Sequence, residues 1–301
     1  NKEISIALLE VVEVSLSNVT FDDEINFNFL LFYLSLSTYL DERNNKSWFL
    51  IGQLYQIMNK FEKAEFYYNK INPSSSYYID SEINIAINYS EYLSFNQAEK
   101  KIKELIKKSL NKNDLYKILA DFYRVNNKYE IAIKYYSDLI IGDGKELWKL
   151  FYLRGICFER LDKWKQAEKD FTISLEINSN SPDVLNYLAY SWIEKNINID
   201  RSISMLESAY ESNPNSYYIL DSLAWGYFKK NELEYAAELM EKVIEMAPGE
   251  AISLDHLGDI YSALNRNREA IFFWKQAIDL ANPEDNITEK IIKKLELHVP
   301  G

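Results

Sequence analysis

Seven small residues recur at one fixed phase along this sequence: Gly52, Ala86, Ala120, Gly155, Ala189, Ala224 and Gly258, each 34 or 35 residues after the last. A second set keeps the same period: Ala64, Ala98, Ala132, Ala167, Ser202, Ala236 and Ala270. A period of this length marks a repeat architecture, in which each unit is too small to bury its apolar face alone and buries it against its neighbours. Two small positions per unit fit a helical hairpin. Where two antiparallel helices cross, a side chain larger than a methyl would push their axes beyond the usual separation of about 8–10 Å. The repeat therefore predicts an all-α chain that grows along one axis, and a length of 301 residues does not imply two globular domains. Eight Gly and six Pro are few for this length and agree with long helices and few breaks.

The order of residues around the small positions identifies the repeat. Trp48, Ile51, Gly52, Tyr55, Ala64 and Tyr68 follow one another with Pro73 soon after, where a residue without an N–H stops further winding. Leu257, Gly258, Tyr261, Ala270, Trp274, Ala277 and Pro283 repeat the order at the other end. This pattern resembles the tetratricopeptide repeat (TPR) over essentially the whole chain. The resemblance implies an α-solenoid, a right-handed superhelix of about eight helix–turn–helix units and a C-terminal capping helix. The expected organisation is a single solenoid, residues 1–301. A divergent first hairpin covers 1–44, with helices over 3–17 and 22–40, and seven repeats cover 45–78, 79–112, 113–147, 148–181, 182–216, 217–250 and 251–284. Residues 285–301 contain the capping helix, expected over 286–297, and the loop 195–200 takes up one extra residue.

At a finer grain, the run Tyr152 to Phe171 and the segments LNYLAYSW at Leu185, DSLAWGYF at Asp221 and DHLGDIY at Asp255 resemble multi-repeat TPR proteins of proteobacteria. That resemblance implies a bacterial scaffold of the periplasm, with the cytoplasm as the alternative, and a match to the family's C-terminal half. The chain begins at Asn1 without a basic-then-apolar leader, which is read as a piece cut from something longer.

Charge narrows the partners. With 34 Lys+Arg against 46 Asp+Glu the chain carries −12, which disfavours the phosphate backbone of nucleic acid. The longest apolar stretch, Phe27–Leu40, is interrupted by Asn28, Ser35, Ser37 and Thr38 and is shorter than the roughly 20 residues of a membrane span. Cys157 is the sole cysteine, read as a buried, inert thiol in a packed helix. No phosphate loop, nucleophile–base pair, metal-ligand spacing or dinucleotide fingerprint is present, so no catalytic residue and no cofactor is expected.

In TPR superhelices the first helix of each hairpin lines a concave groove, and its fifth and ninth residues face the ligand. In the last three units these are Asn186 and Tyr190, Asp221 and Trp225, and Asp255 and Asp259, with Tyr187, Phe228 and His256 adjoining. Aromatics beside carboxylates and an amide suit an extended peptide that is neutral to basic. Trp225 and Tyr190 are as well explained by packing as by binding, whereas Trp48, Trp192, Trp274, Tyr55 and Tyr261 occupy core positions. Asp255, His256 and Asp259 share a helix face, but three adjacent groups on one helix rarely converge on one metal ion. The groove positions of the earlier units, Phe49 and Gln53 or Lys117 and Asp121, do not pair a Lys with an Asn in one unit, the combination with which TPR proteins clamp a chaperone's C-terminal carboxylate.

The leading reading is a non-catalytic scaffold that holds a peptide or partner protein in the groove. The alternatives are a self-assembling solenoid, with contacts through the apolar first hairpin (Ile4, Ile6, Leu8, Leu9 and 27–33), and a TPR accessory region of a larger enzyme or of an export or envelope-assembly protein.

Overall fold

Both small positions of every unit fall within helices. The computed structural model describes residues 1–17, 26–109, 112–142, 146–282 and 286–298; among them there are seventeen α-helices and no strand. Residues 22–25 of the expected second helix, and Pro283, lie outside the described residues. The chain divides into two compact units, Asn1–Leu139 and Ile140–Gly301.

The first unit holds α1 (Lys2–Ser17), α2 (Phe27–Leu40), α3 (Asn45–Ile57), α4 (Phe61–Tyr68), α5 (Tyr78–Tyr92), α6 (Phe95–Lys108), α7 (Asn113–Val125) and most of α8 (Tyr129–Ile141). The second holds α9 (Leu147–Arg160), α10 (Trp164–Ile177), α11 (Pro182–Glu194), α12 (Ile199–Ser212), α13 (Tyr217–Lys229), α14 (Leu233–Met246), α15 (Ala251–Ala263), α16 (Asn267–Leu280) and α17 (Thr288–His298). In the second unit each hairpin (α9/α10 through α15/α16) packs on itself and on the next, and the first helices α11, α13 and α15 also touch one another directly.

The small residues divide by what they face. A Cβ added at Gly52, Gly155 or Gly258 would run into the ring of Tyr68, Phe171 or Trp274, sixteen residues on. At these three crossings a wide aromatic lies against the glycine and leaves no room for a methyl. Ala86 and Ala224 have Ile102 and Met240 at that spacing, and Ala120 has the buried Tyr136, so an aromatic there does not by itself require glycine. Ala64, Ala98, Ala132, Ala167, Ser202, Ala236 and Ala270 are fully buried.

The turn within each hairpin is also periodic. Seven residues after the small position stand Asn59, Asn127, Asp162, Asn196, Asn231 and Asn265, all in the left-handed region with φ between 54 and 68°. Asn and Asp tolerate that region best among residues with a Cβ. Around Asn231, the Glu232 N–H donates to Tyr227 O and the Asn231 N–H to Phe228 O, the paired bonds of a Schellman cap. Leu93 stands at this place in the second repeat and keeps φ at −118°. The turn 195–198 takes its extra residue through a second left-handed asparagine, Asn198, and α12 starts at Ile199, so the expected loop is shorter by two residues.

A third regularity ties neighbouring hairpins together. Three residues after the small position an aromatic donates to a glutamate of the preceding second helix: Tyr89 to Glu65 and Trp192 to Glu168 in one phase, Tyr227 to Glu207 and Tyr261 to Glu241 in another. Tyr123 bonds Glu99 in the same manner. The ring fills core space while its polar edge is satisfied, which a leucine would not achieve. Burial, and then the Glu241 carboxylate, push Tyr261 up to about 12.

In α1 and α2 serines take the place of the small apolar residues. Buried Ser37 bonds both Ser5 of α1 and Ser47 of α3 at 2.9 Å, with Asn44 Nδ2 donating to Ser5 and Ser37. Leu9, Val12, Leu30 and Leu34 are buried, whereas Ile4, Ile6, Phe29, Phe32 and Tyr39 are exposed.

Candidate functional site

In the second unit four successive first helices surround a cavity of about 350 Å³. α9 contributes Glu159 and Arg160; α11 contributes Asn186, Tyr187, Tyr190, Ser191 and Glu194, followed by Lys195. α13 supplies Tyr218, Asp221 and Ser222, and α15 supplies Ile252 and His256. Five of the nine groove residues expected from the sequence, Asn186, Tyr187, Tyr190, Asp221 and His256, therefore line one cavity.

Its floor is built from bonds between consecutive first helices. Tyr187 donates to Glu159 at 3.2 Å, Tyr218 to Asp183 at 2.9 Å, and Trp225 Nε1 to Glu194 at 2.6 Å. His256 Nδ1 lies 3.0 and 3.2 Å from the two oxygens of Asp221. A carboxylate only accepts, so Nδ1 carries the proton. Burial works against charge on His256, but Asp221, with Asp255 and Asp259 beyond it, outweighs burial and raises its pKa above the ordinary value. Burial also raises the pKa of Tyr190, reinforced by Glu194 and Asp221, so this phenol stays neutral and can donate to a ligand.

Trp225, Asp221, Asp255 and His256 are buried, so these four act mainly as wall and support. Trp225 is packed between Phe228 and His256, with ring centroids 4.7 and 4.1 Å away. Asp255 and Asp259 both bind Lys294 of α17, and Asp259 also accepts from Trp274 Nε1 at 3.0 Å. Asp255 and Asp259 thus share Lys294 while His256 turns to Asp221, and no group of three metal-ligating residues occurs among the described residues. Asn186 lines the cavity while its Oδ1 is buried without a hydrogen-bond partner. A buried, unpaired amide oxygen is costly, and here it belongs to a residue that lines the cavity.

Sequence reasoning missed Glu159, Arg160, Ser191, Glu194, Lys195, Tyr218, Ser222 and Ile252. Glu159 and Glu194 lie in the last turns of their helices, outside the fifth and ninth places, and the only signal for them was proximity to the turn that follows.

A tetratricopeptide-repeat family model matches residues 46–71 and 251–283, the two units with the clearest motif order. The chain carries tetratricopeptide (TPR) repeats. It is 23% identical over 145 residues to a TPR repeat-containing protein of Pseudomonas aeruginosa, a stretch covering 48% of this chain and 24% of that relative. The chain thus spans about a quarter of the curated relative it matches. Among solved structures, a TPR protein from Parabacteroides merdae superposes with a TM-score of 0.61 at 19% identity, covering 83% of this chain and 97% of that one. The Cut9–Hcn1 hetero-tetramer of the APC/C superposes at 0.63 and 13% identity, covering 89% and 52%. Yeast Tom70 superposes at 0.61 and 15% identity, covering 90% and 59%. At these identities the likeness is one of fold, an all-α TPR solenoid. No described helix is long and apolar enough to cross a membrane.

Proposed function

We propose that the chain is a non-catalytic scaffold that holds an extended segment of a partner protein in the cavity formed by α9, α11, α13 and α15. The observation that carries this reading is the cavity itself, lined by Asn186, Tyr190 and Ser191 of α11 together with acids held by hydrogen bonds to neighbouring helices. Tyrosine rings supply contact area at low entropic cost, and the Asn186 amide suits a peptide backbone. Carboxylates outnumber bases in the second unit, so the segment is neutral to basic.

A random-peptide display selection against the full chain tests this, repeated with Tyr190→Ala, which removes a contact, and Ser191→Trp, which fills the space. The proposal expects the selected peptides to lose at least about tenfold in affinity with both variants. Peptides that bind wild type and both variants equally would rule the cavity out.

The exposed Ile4, Phe29, Phe32 and Tyr39 favour a second reading, in which the first hairpin is a contact surface between copies of the chain. Sedimentation velocity over a concentration series tests it. A concentration-dependent mass abolished by Phe32→Glu supports it, and a constant monomer mass removes it.

A further inference from the structure

α17 is lightly anchored. Of its eleven residues only Ile291 is buried, with Ile287 just ahead of it and Leu295 at the core's edge, while Ile292 and Leu297 are exposed. α14, by comparison, buries five of fourteen. The remaining anchors of α17 are polar. Lys294 Nζ lies 2.6 Å from Asp255 Oδ1 and 2.7 Å from Asp259 Oδ1, with the Trp274 ring centroid at 5.7 Å. His298 donates from Nδ1 to Lys294 O at 2.7 Å, which leaves Nε2 to accept from Ser262 Oγ at 2.9 Å.

Asp255 and Asp259 are the fifth and ninth residues of α15, the places held by Asn186 and Tyr190 in α11. His256, next to Asp255, is already a wall of the cavity. A segment lying along the cavity from α9 to α15 therefore runs directly toward the seat of Lys294. That seat demands a cation: Asp255 is buried, and a buried carboxylate without a partner is strongly unfavourable.

We propose that α17 is a built-in competitor for the partner: a lysine or arginine of the bound segment takes the place of Lys294 between Asp255 and Asp259, and α17 is released. This rests on the cavity being the partner site, and it adds that the partner is basic at the end reaching α15 and that the chain guards its own groove.

Hydrogen exchange of the full chain, followed by mass spectrometry, reads this directly. In wild type the α17 amides exchange at least about a hundredfold faster than those of α15, since release of α17 is a local opening. Adding a cavity-selected peptide speeds α17 exchange at least about tenfold further, and a version of that peptide with Lys and Arg replaced by Gln does not. A second probe is the synthetic peptide of residues 288–298, which presents the lysine in a sequence that already fits. It binds the full-length Lys294→Gln variant at least about tenfold more tightly than wild type, because the cis occupant is weakened. Exchange of α17 as slow as that of α15, or equal or absent binding of the 288–298 peptide to both chains, would overturn the proposal. Selected peptides that bind in a Tyr190-dependent manner and leave α17 exchange unchanged would overturn the competitor alone and leave the groove standing. Peptides insensitive to Tyr190→Ala would remove the groove, whatever the 288–298 peptide does.

Discussion

The indole of Trp225 stacks on the imidazole of His256, with centroids 4.1 Å and planes 17° apart, while the same imidazole holds both oxygens of Asp221. One aromatic pair thus joins α13 to α15 and fixes a wall of the cavity before any ligand arrives. A groove preorganised in this way loses less entropy on binding than one that must assemble around its ligand. It also means that Trp225→Ala would damage the wall as well as any contact, so Tyr190 and Ser191 are better reporters of binding.

His256 gives the stability a pH dependence of defined sign. Its folded pKa is raised above the ordinary 6.5, so folding favours the imidazolium. The contribution is complete below pH 6.5 and is lost as pH rises through the folded value. Urea midpoints measured across this range should fall with rising pH in wild type, and His256→Asn should flatten that slope. An unchanged slope would remove His256 as its source.

Gly258 is held against Trp274 with no room for a methyl. Gly258→Ala should lower stability by about 1–3 kcal/mol through overpacking, although alanine is the better helix former. Gly258→Ala/Trp274→Leu should recover part of that loss in chemical denaturation. Additive losses would show that the two side chains do not meet.

Two buried polar groups should be improvable. Both amide atoms of Asn88 in α5, and the Ser202 hydroxyl in α12, are buried without hydrogen-bond partners. Asn88→Leu and Ser202→Ala should each raise stability by about 1 kcal/mol or more, because unpaired buried polar groups cost about 1–3 kcal/mol. Lower melting temperatures for both would contradict this.

The same two residues show what the sequence made legible. Ser202 stands where six other repeats have Ala, so its burial could be read from the period, but its lack of a partner could not. The all-α repeat and its hairpins follow from the spacing of Gly and Ala, because helix crossings tolerate little that is larger, whereas the groove-facing phase was implied by the resemblance to the tetratricopeptide repeat. The recurring Asn59, Asn127, Asn196, Asn231 and Asn265 were equally visible and mark five of the seven turns through their left-handed backbone. What spacing does not carry is competition among side chains for one partner. Asp255 and Asp259 have the groove phase of ligand residues, yet Lys294, 35 or more residues away, takes both.

Asn231 tests the turn. Asn231→Ala should cost about 1 kcal/mol, since alanine in the left-handed region is strained, whereas Asn231→Gly should change stability by much less. Equal losses in thermal unfolding would argue that the asparagine side chain, and not its backbone, matters.

The central claim is that the second unit's cavity is where a partner is held, and photo-crosslinking in bacterial cells tests it most directly. A benzophenone amino acid is placed at Ser191, in the cavity, and separately at Lys242, on the exposed face of α14. The account predicts a discrete protein adduct from position 191, absent from position 242 and competed away by a cavity-selected peptide. Adducts from position 242 with none from position 191 would contradict it.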